Sequence, residues 1–193
     1  MDNVSQGFDF LRISVEGRLS TPAVITVTSA RSDDGASLVA SGLADSFADA
    51  GQRTMLVSAS SRPVGVINGN PNLAKTTAAK LVAENGGTPS ALARGLQHLR
   101  AEYAVVVVDA DALPSSPLAY ELARKADGVV VAIRLGRKPG KEDRTTLQLL
   151  QNSGCNVLGI APTGAANVSG STKRLPKEAE NDGFRNLALE VTR

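Results

Sequence analysis

The sequence predicts an α/β protein with a doubly wound, mainly parallel β-sheet that is flanked by helices. The first observation is that continuous apolar runs alternate with amphipathic stretches along the chain. This is the pattern of parallel strands that are covered on both faces by helices. The second is that only 3% of the 193 residues are aromatic and none is tryptophan. The core must therefore be built from Val, Leu, Ile and Ala, which suits such a sheet better than a β-sandwich.

The first half of the chain begins with a leader, residues 1–21, that contains a short helix. Val39, Leu43 and Phe47 fall on one helical face, and Gly51 provides a stop signal for that helix. The elements predicted after the leader are a strand (23–30), a helix (36–51), a strand (53–60), a loop (61–72) and two helices (73–84 and 89–100).

The second half repeats the alternation of strand and helix. Pro117 stands near the start of a helix, where its fixed backbone angle is tolerated. The predicted elements are a strand (103–110), a helix (116–127), a strand (128–136), a helix (141–154) and a strand (156–162). These elements place one domain at residues 22–164, and the polar composition that follows predicts a flexible tail over residues 165–193.

Charge and composition exclude several classes of function. A net charge of +2 is too small to indicate nucleic acid or an anionic membrane as a partner. One cysteine and one histidine cannot assemble a metal cluster. The first residues do not resemble a secretion signal, and no apolar run is long enough to insert into a bilayer, so we expect a cytoplasmic protein.

Ligands of such sheets bind at the carboxyl ends of the strands. The segment SARSDDGAS (29–37) connects the first strand to the first sheet helix there and has the design of a phosphate-binding loop. Gly35 would let the backbone wrap an anion, and Ser37 would ligate Mg²⁺. The lysine that such a loop needs is replaced by Ala36.

The other charges of this loop leave two interpretations open. Asp33 and Asp34 would repel a triphosphate, and Arg31 is the one cation of the loop that could still reach an anion. The loop is then either an altered nucleotide site or a strand–helix turn in which Asp33 caps the helix. Two further residues, Asp109 and Asp111, end a strand at the same edge, where they could hold Mg²⁺ or cap the next turn.

A basic loop, residues 134–141, follows another strand at this edge. It is either a solvated loop or a surface for an anion or a partner.

Read from end to end, the chain resembles the cytoplasmic bacterial tyrosine kinases, members of the deviant-Walker P-loop superfamily that includes ParA and MinD. The matching segments, in chain order, are QGFDFLRIS (6–14), VTSARSDDGAS (27–37), ADAGQRTMLVSASSRP (48–63), YAVVVVDADA (103–112), ADGVVVAIR (126–134) and VLGIAPT (157–163). The resemblance covers residues 5–163 and implies the P-loop NTPase fold. It implies nucleotide-binding roles for Arg31, Gly35, Ser37 and Asp109.

The departures from the family pattern concern the chemistry. The family's phosphate-loop lysine falls on Ala36, and its two magnesium-organising acids fall on Ser58 and Ser60. Two residues of the family's subunit-contact motif fall on Gln6 and Asp9, and the tail contains no tyrosine that could be phosphorylated. Because phosphoryl transfer depends on positioning and charge neutralisation, we expect a catalytically inactive domain without a cofactor.

The resemblance places this inactive domain in exopolysaccharide biosynthesis or export. We expect it to act as an interaction or regulatory protein, bound to a membrane polysaccharide co-polymerase, to a catalytic homologue or to copies of itself. Through such a partner it would lie at the inner membrane. Two alternatives stay open: a switch or weak enzyme that binds ATP or ADP with Mg²⁺, and a ParA-like positioning protein.

Overall fold

A computed structural model gives the structure of residues 3–60, 69–88, 90–138 and 140–164. In this part of the chain, the strands are β1 (Ala23–Ser29), β2 (Thr54–Ser58), β3 (Leu73–Thr77), β4 (Val105–Ala112), β5 (Gly128–Arg134) and β6 (Val157–Thr163). The helices are α1 (Asn3–Glu16), α2 (Ala36–Asp49), α3 (Ala78–Glu84), α4 (Ala91–Glu102), α5 (Pro117–Lys125) and α6 (Lys141–Asn152). A 3₁₀ turn, Leu113–Ser115, follows β4.

The strands form one sheet in the order β3-β2-β4-β1-β5-β6, and all five neighbouring pairs are parallel. The predicted fold class is therefore confirmed. Strand β4 shows how the valine-rich runs produce it, because successive side chains point to opposite faces. Val107 packs with α2 residues on one face, and Val106 and Val108 pack with residues of α3, α4 and α5 on the other.

The leader helix α1 is packed along α2. The Phe8 ring lies against Gly42, so closely that a methyl group on Gly42 would overlap it. Beside this contact, the Ser46 hydroxyl donates to Asp9 over 2.6 Å and accepts from Arg12 Nε at 3.2 Å. A glycine and a serine on α2 thus let the two helices approach closely and join them by hydrogen bonds.

The helix predicted for residues 73–84 is wrong in its first part. Residues Leu73–Thr77 form β3, which pairs with β2 at the edge of the sheet, and the helix begins only at Ala78. The boundary is set by Thr77, whose side chain accepts a hydrogen bond from Lys80 N at 3.1 Å and caps α3. A short edge strand that contains a lysine lacks the apolar pattern of the buried strands.

Two predicted segments fall wholly or partly outside the described residues. These are the tail, 165–193, and most of the loop predicted for 61–72. None of the helices in the described part of the chain combines the length and the apolar character that a membrane span requires.

Candidate functional site

A cleft of about 240 Å³ opens where β1 and β4 end and α2 begins. Its position agrees with the edge of the sheet at which a ligand was predicted. The lining residues are Ser29, Ser32, Asp33, Gly35, Ala36, Ser37, Ser60, Ala110, Asp111 and Ala112. Six of these ten residues have polar side chains, and the ionisable lining groups are carboxylates.

Gly35 forms the turn into α2. Its φ of +87° is in the left-handed region, and it occupies the N-cap position of the helix without a side-chain cap. A Cβ at this position would lie 3.2 Å from the Thr163 side chain at the end of β6. Both the backbone angle and the space favour glycine. The interpretation in which Asp33 caps the helix is wrong, because the capping position belongs to Gly35.

The side chains of Ser37, in the first turn of α2, and Asp109, in β4, are in contact. The Ser37 hydroxyl donates to Asp109 Oδ1 over 3.0 Å, and the Ser60 hydroxyl donates to Oδ2 over 2.8 Å. Asp109 is fully buried, and burial raises the pKa of its carboxyl group. The two serine hydrogen bonds oppose this pKa increase, while the charge of Asp111 adds to it.

Asp34 lies away from the cleft, in a buried cluster with Arg137 and Asp143. Arg137 Nε and Nη2 donate to the Asp34 carboxylate over 3.0 and 2.7 Å. The Nη1 and Nη2 atoms of Arg137 donate to Asp143, each over 2.7 Å. We call these three residues the carboxylate–arginine cluster. The expected repulsion between Asp34 and a triphosphate is wrong, because the carboxylate faces Arg137.

Burial opposes ionisation of Asp143. Hydrogen bonds from Arg137 and from the Gly140 backbone nevertheless outweigh burial and lower the pKa of this carboxyl group. The same hydrogen bonds from the arginine raise the pKa of Arg137 itself. Asp143 and Arg137 therefore stay ionised across the physiological range. Arg137 belongs to the basic loop, so one positive charge of that loop is paired with carboxylates of the protein itself.

Arg31, the cation predicted to reach an anion, points to the start of α6. Its Nη2 atom donates to Glu142 over 2.9 Å, in a pair that is partly exposed to solvent. Arg31 is not among the residues that line the cleft. Of the predicted binding residues, the structure brings together Gly35, Ser37 and Asp109, and it leaves Arg31 outside.

Sequence patterns did not single out the carboxylate–arginine cluster. Asp34 and Arg137 are 103 positions apart, so only the fold brings them together. One local signal was available, because Asp143 stands three residues after Gly140 and accepts a hydrogen bond from its backbone N at 2.6 Å. A carboxylate at that position of a helix is typical of a capping box.

The residues that line the cleft do not fit a magnesium-bound triphosphate. Ser37 and Asp109 suit a hydrated Mg²⁺ ion. Around them, however, Asp33 and Asp111 bring further negative charge, and the described lining contains no lysine or arginine. Such a ligand carries net negative charge itself, so these carboxylates oppose its binding. In the described part of the chain, no group of three or more metal-ligating side chains could hold a metal ion.

Comparisons by sequence find nothing: no protein-family model and no curated protein matches the chain. Comparisons by structure find many solved chains. One is the kinase domain of the Escherichia coli tyrosine kinase ETK, with a TM-score of 0.68, 18% identity, and coverage of 89% of this chain and 80% of that chain. Another, from Archaeoglobus fulgidus, is a nucleotide-binding protein in complex with ADP, with a TM-score of 0.64, 16% identity, and coverage of 95% and 83%.

A third similar structure is cobyrinic acid a,c-diamide synthase from Mycobacterium smegmatis, with bound ADP and magnesium. It has a TM-score of 0.61, 15% identity, and coverage of 86% of this chain and 80% of that one. The sheet order and these likenesses together define a P-loop NTPase fold. Within that fold, the chain is similar to bacterial tyrosine kinase domains, as its sequence motifs predict.

Proposed function

We propose that this protein is a catalytically inactive, kinase-like P-loop domain that acts by binding other proteins. The observation that carries the proposal is the charge of the cleft. Ala36 stands where the resemblance places an ammonium group, and the described lining includes Asp33 and Asp111 but no lysine or arginine. The fold is intact, while the described lining lacks the cation that phosphoryl transfer needs.

The lack of positive charge in the described lining of the cleft argues against turnover of ATP by phosphoryl transfer. Transfer of a phosphoryl group relies on cations that neutralise the developing charge, and the protein has little covalent chemistry to add. The hydroxyls of Ser58 and Ser60 stand where the resemblance has carboxylates that organise Mg²⁺. Asp109, the remaining acid, has a pKa raised by burial and accepts hydrogen bonds from two serines, so its affinity for a metal ion is reduced.

The resemblance supports a role in exopolysaccharide biosynthesis or export. The proposed partner is a membrane polysaccharide co-polymerase, a catalytic homologue or a second copy of this chain. The protein would then be cytoplasmic and would reach the inner membrane through its partner. The leader helix α1, in which Gln6 and Asp9 replace two residues of the family's subunit-contact motif, packs against α2 as a folded part of the domain.

A second candidate function is a nucleotide-binding switch, and the contact between Ser37 and Asp109 favours it. The resemblance implies nucleotide-binding roles for both residues, and they meet at the N-terminus of α2, where backbone N–H groups attract anions. The similar proteins from Archaeoglobus fulgidus and Mycobacterium smegmatis are described with bound ADP.

Two measurements test the proposal. The first follows phosphate release and autophosphorylation with Mg·ATP. Inactivity is expected, and rates on the order of 1–100 s⁻¹ would overturn the proposal. The second is calorimetry with ADP and Mg²⁺, in which heat of binding at micromolar ADP would favour the switch. The partner is tested separately, by binding of the purified domain to the cytoplasmic part of a polysaccharide co-polymerase without nucleotide.

A further inference from the structure

The carboxylate–arginine cluster joins three separate segments of the chain. Asp34 lies in the loop before α2, Arg137 in the loop after β5, and Asp143 in the first turn of α6. A fourth segment is attached at the same point, because the Thr163 hydroxyl at the end of β6 donates to the Asp34 backbone oxygen over 2.6 Å. The loop between β1 and α2, which resembles a phosphate-binding loop, is thus bonded to the half of the sheet that contains β5 and β6.

The two carboxylates of the cluster are well satisfied. Besides Arg137, the Asp34 carboxylate accepts hydrogen bonds from the backbone N atoms of Arg31 at 3.2 Å and Arg134 at 3.3 Å. Both Asp34 and Asp143 have fully buried side chains, so removal of their common partner leaves charges that water cannot reach. The pair between Arg31 and Glu142, which reaches the same loop, is partly exposed and contributes little.

We propose that Asp34, held by Arg137, which Asp143 in turn fixes in place, is an internal anion that keeps the phosphate-type loop folded when no ligand is bound. In a loop of this type, a bound phosphate commonly gathers the N–H donors and cations around itself. Here a carboxylate of the loop itself gathers the Arg31 and Arg134 N–H groups and the Arg137 guanidinium. Because this anion is part of the chain, it cannot dissociate or be hydrolysed.

The consequence concerns regulation, and it rests on the proposed function as a partner-binding domain. P-loop proteins commonly change shape at this edge when their nucleotide changes, because the phosphate holds mobile loops in place. A loop held by Asp34 presents the same surface with or without nucleotide. A partner that binds this surface would therefore bind it equally well with or without nucleotide.

The experiment measures amide hydrogen exchange of a peptide that covers residues 30–37 in the whole protein, with a peptide from β4 as the reference for global stability. The test variant is Asp143→Asn, and the matched control is the neighbouring Glu142→Gln. Both replace a carboxylate on α6 that contacts an arginine. Asp143→Asn is expected to accelerate exchange of the loop at least about threefold, since it weakens the buried cluster, whereas Glu142→Gln changes exchange less than about twofold.

A stronger variant, Arg137→Met, is expected to accelerate exchange of the loop by more than about tenfold. If Arg137→Met does not fold, the result for Asp143→Asn provides the test, because that variant keeps the ion pair between Asp34 and Arg137. In the wild-type protein, millimolar Mg·ADP is expected to leave loop exchange unchanged. Loop amides that exchange as fast as an unfolded peptide, equal effects of the two amide variants, or a tenfold slowing by Mg·ADP would each overturn the inference. ATP turnover is measured in a separate assay, so that failure of the proposed function can be distinguished from failure of this inference.

Discussion

Ser37 and Asp109 join the first turn of α2 to the end of β4 through one hydrogen bond of 3.0 Å. The bond connects α2, which begins at the candidate site, with β4, a central strand of the sheet. The acceptor carboxylate is fully buried. Its partners are neutral hydroxyls, which satisfy its lone pairs without supplying an opposite charge. A buried acid held in this way makes the domain less stable than an uncharged residue of the same shape would.

Asp109→Asn is therefore expected to stabilise the protein. Burial raises the pKa of Asp109 above its ordinary value of 3.8, so the folded state binds the proton more tightly than the unfolded state. The stability that Asp109 contributes is lost as the pH rises from 3.8 through the raised pKa. The gain in melting temperature of Asp109→Asn should accordingly be larger at pH 7 than at pH 4. Asp111→Asn, on the same strand but only half-buried, is the control and should change the melting temperature less.

Gly35→Ala is expected to destabilise the protein by about 2 kcal/mol or more, because it forces a left-handed alanine and adds a contact with Thr163. Gly51→Ala is the matched control. Gly51 has a φ of +84°, but a Cβ there has no neighbour within 4 Å, so only the backbone strain of about 1 kcal/mol remains. Urea unfolding of both variants measures the difference, and equal losses would show that the Thr163 contact has no effect.

Gly42→Ala should loosen α1 from α2. Replacing a helical glycine by alanine normally adds up to about 1 kcal/mol of stability, but here the new methyl group overlaps the Phe8 ring. Gly7→Ala in α1 is the control, since a Cβ there has no neighbour within 4 Å and should give the usual gain. Limited proteolysis within residues 3–16 reports the detachment. Faster cleavage in Gly7→Ala than in Gly42→Ala would contradict this account of the contact between the helices.

Ala36→Lys tests the charge deficit of the cleft directly. The side chain at this position lines the cleft, so an ammonium group there can approach Asp33 and Asp111 and offset their charge. Calorimetry with Mg·ADP is expected to show at least about tenfold tighter binding than in the wild-type protein. Ala36→Gln has a similar length without the charge and should show no gain. An equal gain in both variants would assign the effect to contact area instead of charge.

Five of the six strands could be predicted from the sequence, because each is an apolar run; β1, β2, β4 and β5 are almost entirely buried, and the edge strand β6 is buried in part. The exception, β3, lies at the edge, where its side chains are half-exposed or exposed and need no apolar pattern. The run Leu73–Thr77 then continues directly into α3 without a Gly or Pro between them. A strand and a helix that follow each other in this way appear as one helix in a pattern based on residue type.

For the candidate site, the sequence indicated the correct edge of the sheet and the residues of the loop, but not their partners. Motif order places Gly35 and Ser37 at the start of α2, and that is where they lie. The direction of each charged side chain depends on distant residues. Asp34 and Asp33 are neighbours with the same chemistry, yet one is buried against Arg137 and the other lines the cleft. Only the packing of the loop after β5 distinguishes them.

The strand order also constrains how the protein is made. β1 has its two partners in β4 and β5, and Ala23 pairs with Val105. A ribosome must therefore release more than half of the chain before β1 can find either neighbour, whereas β2 and β3 can meet earlier. During that interval, β1 lacks both of its neighbouring strands, and its unpaired edges can associate with other nascent chains. Slow translation of the segment between β3 and β4 would prolong this interval and favour such association.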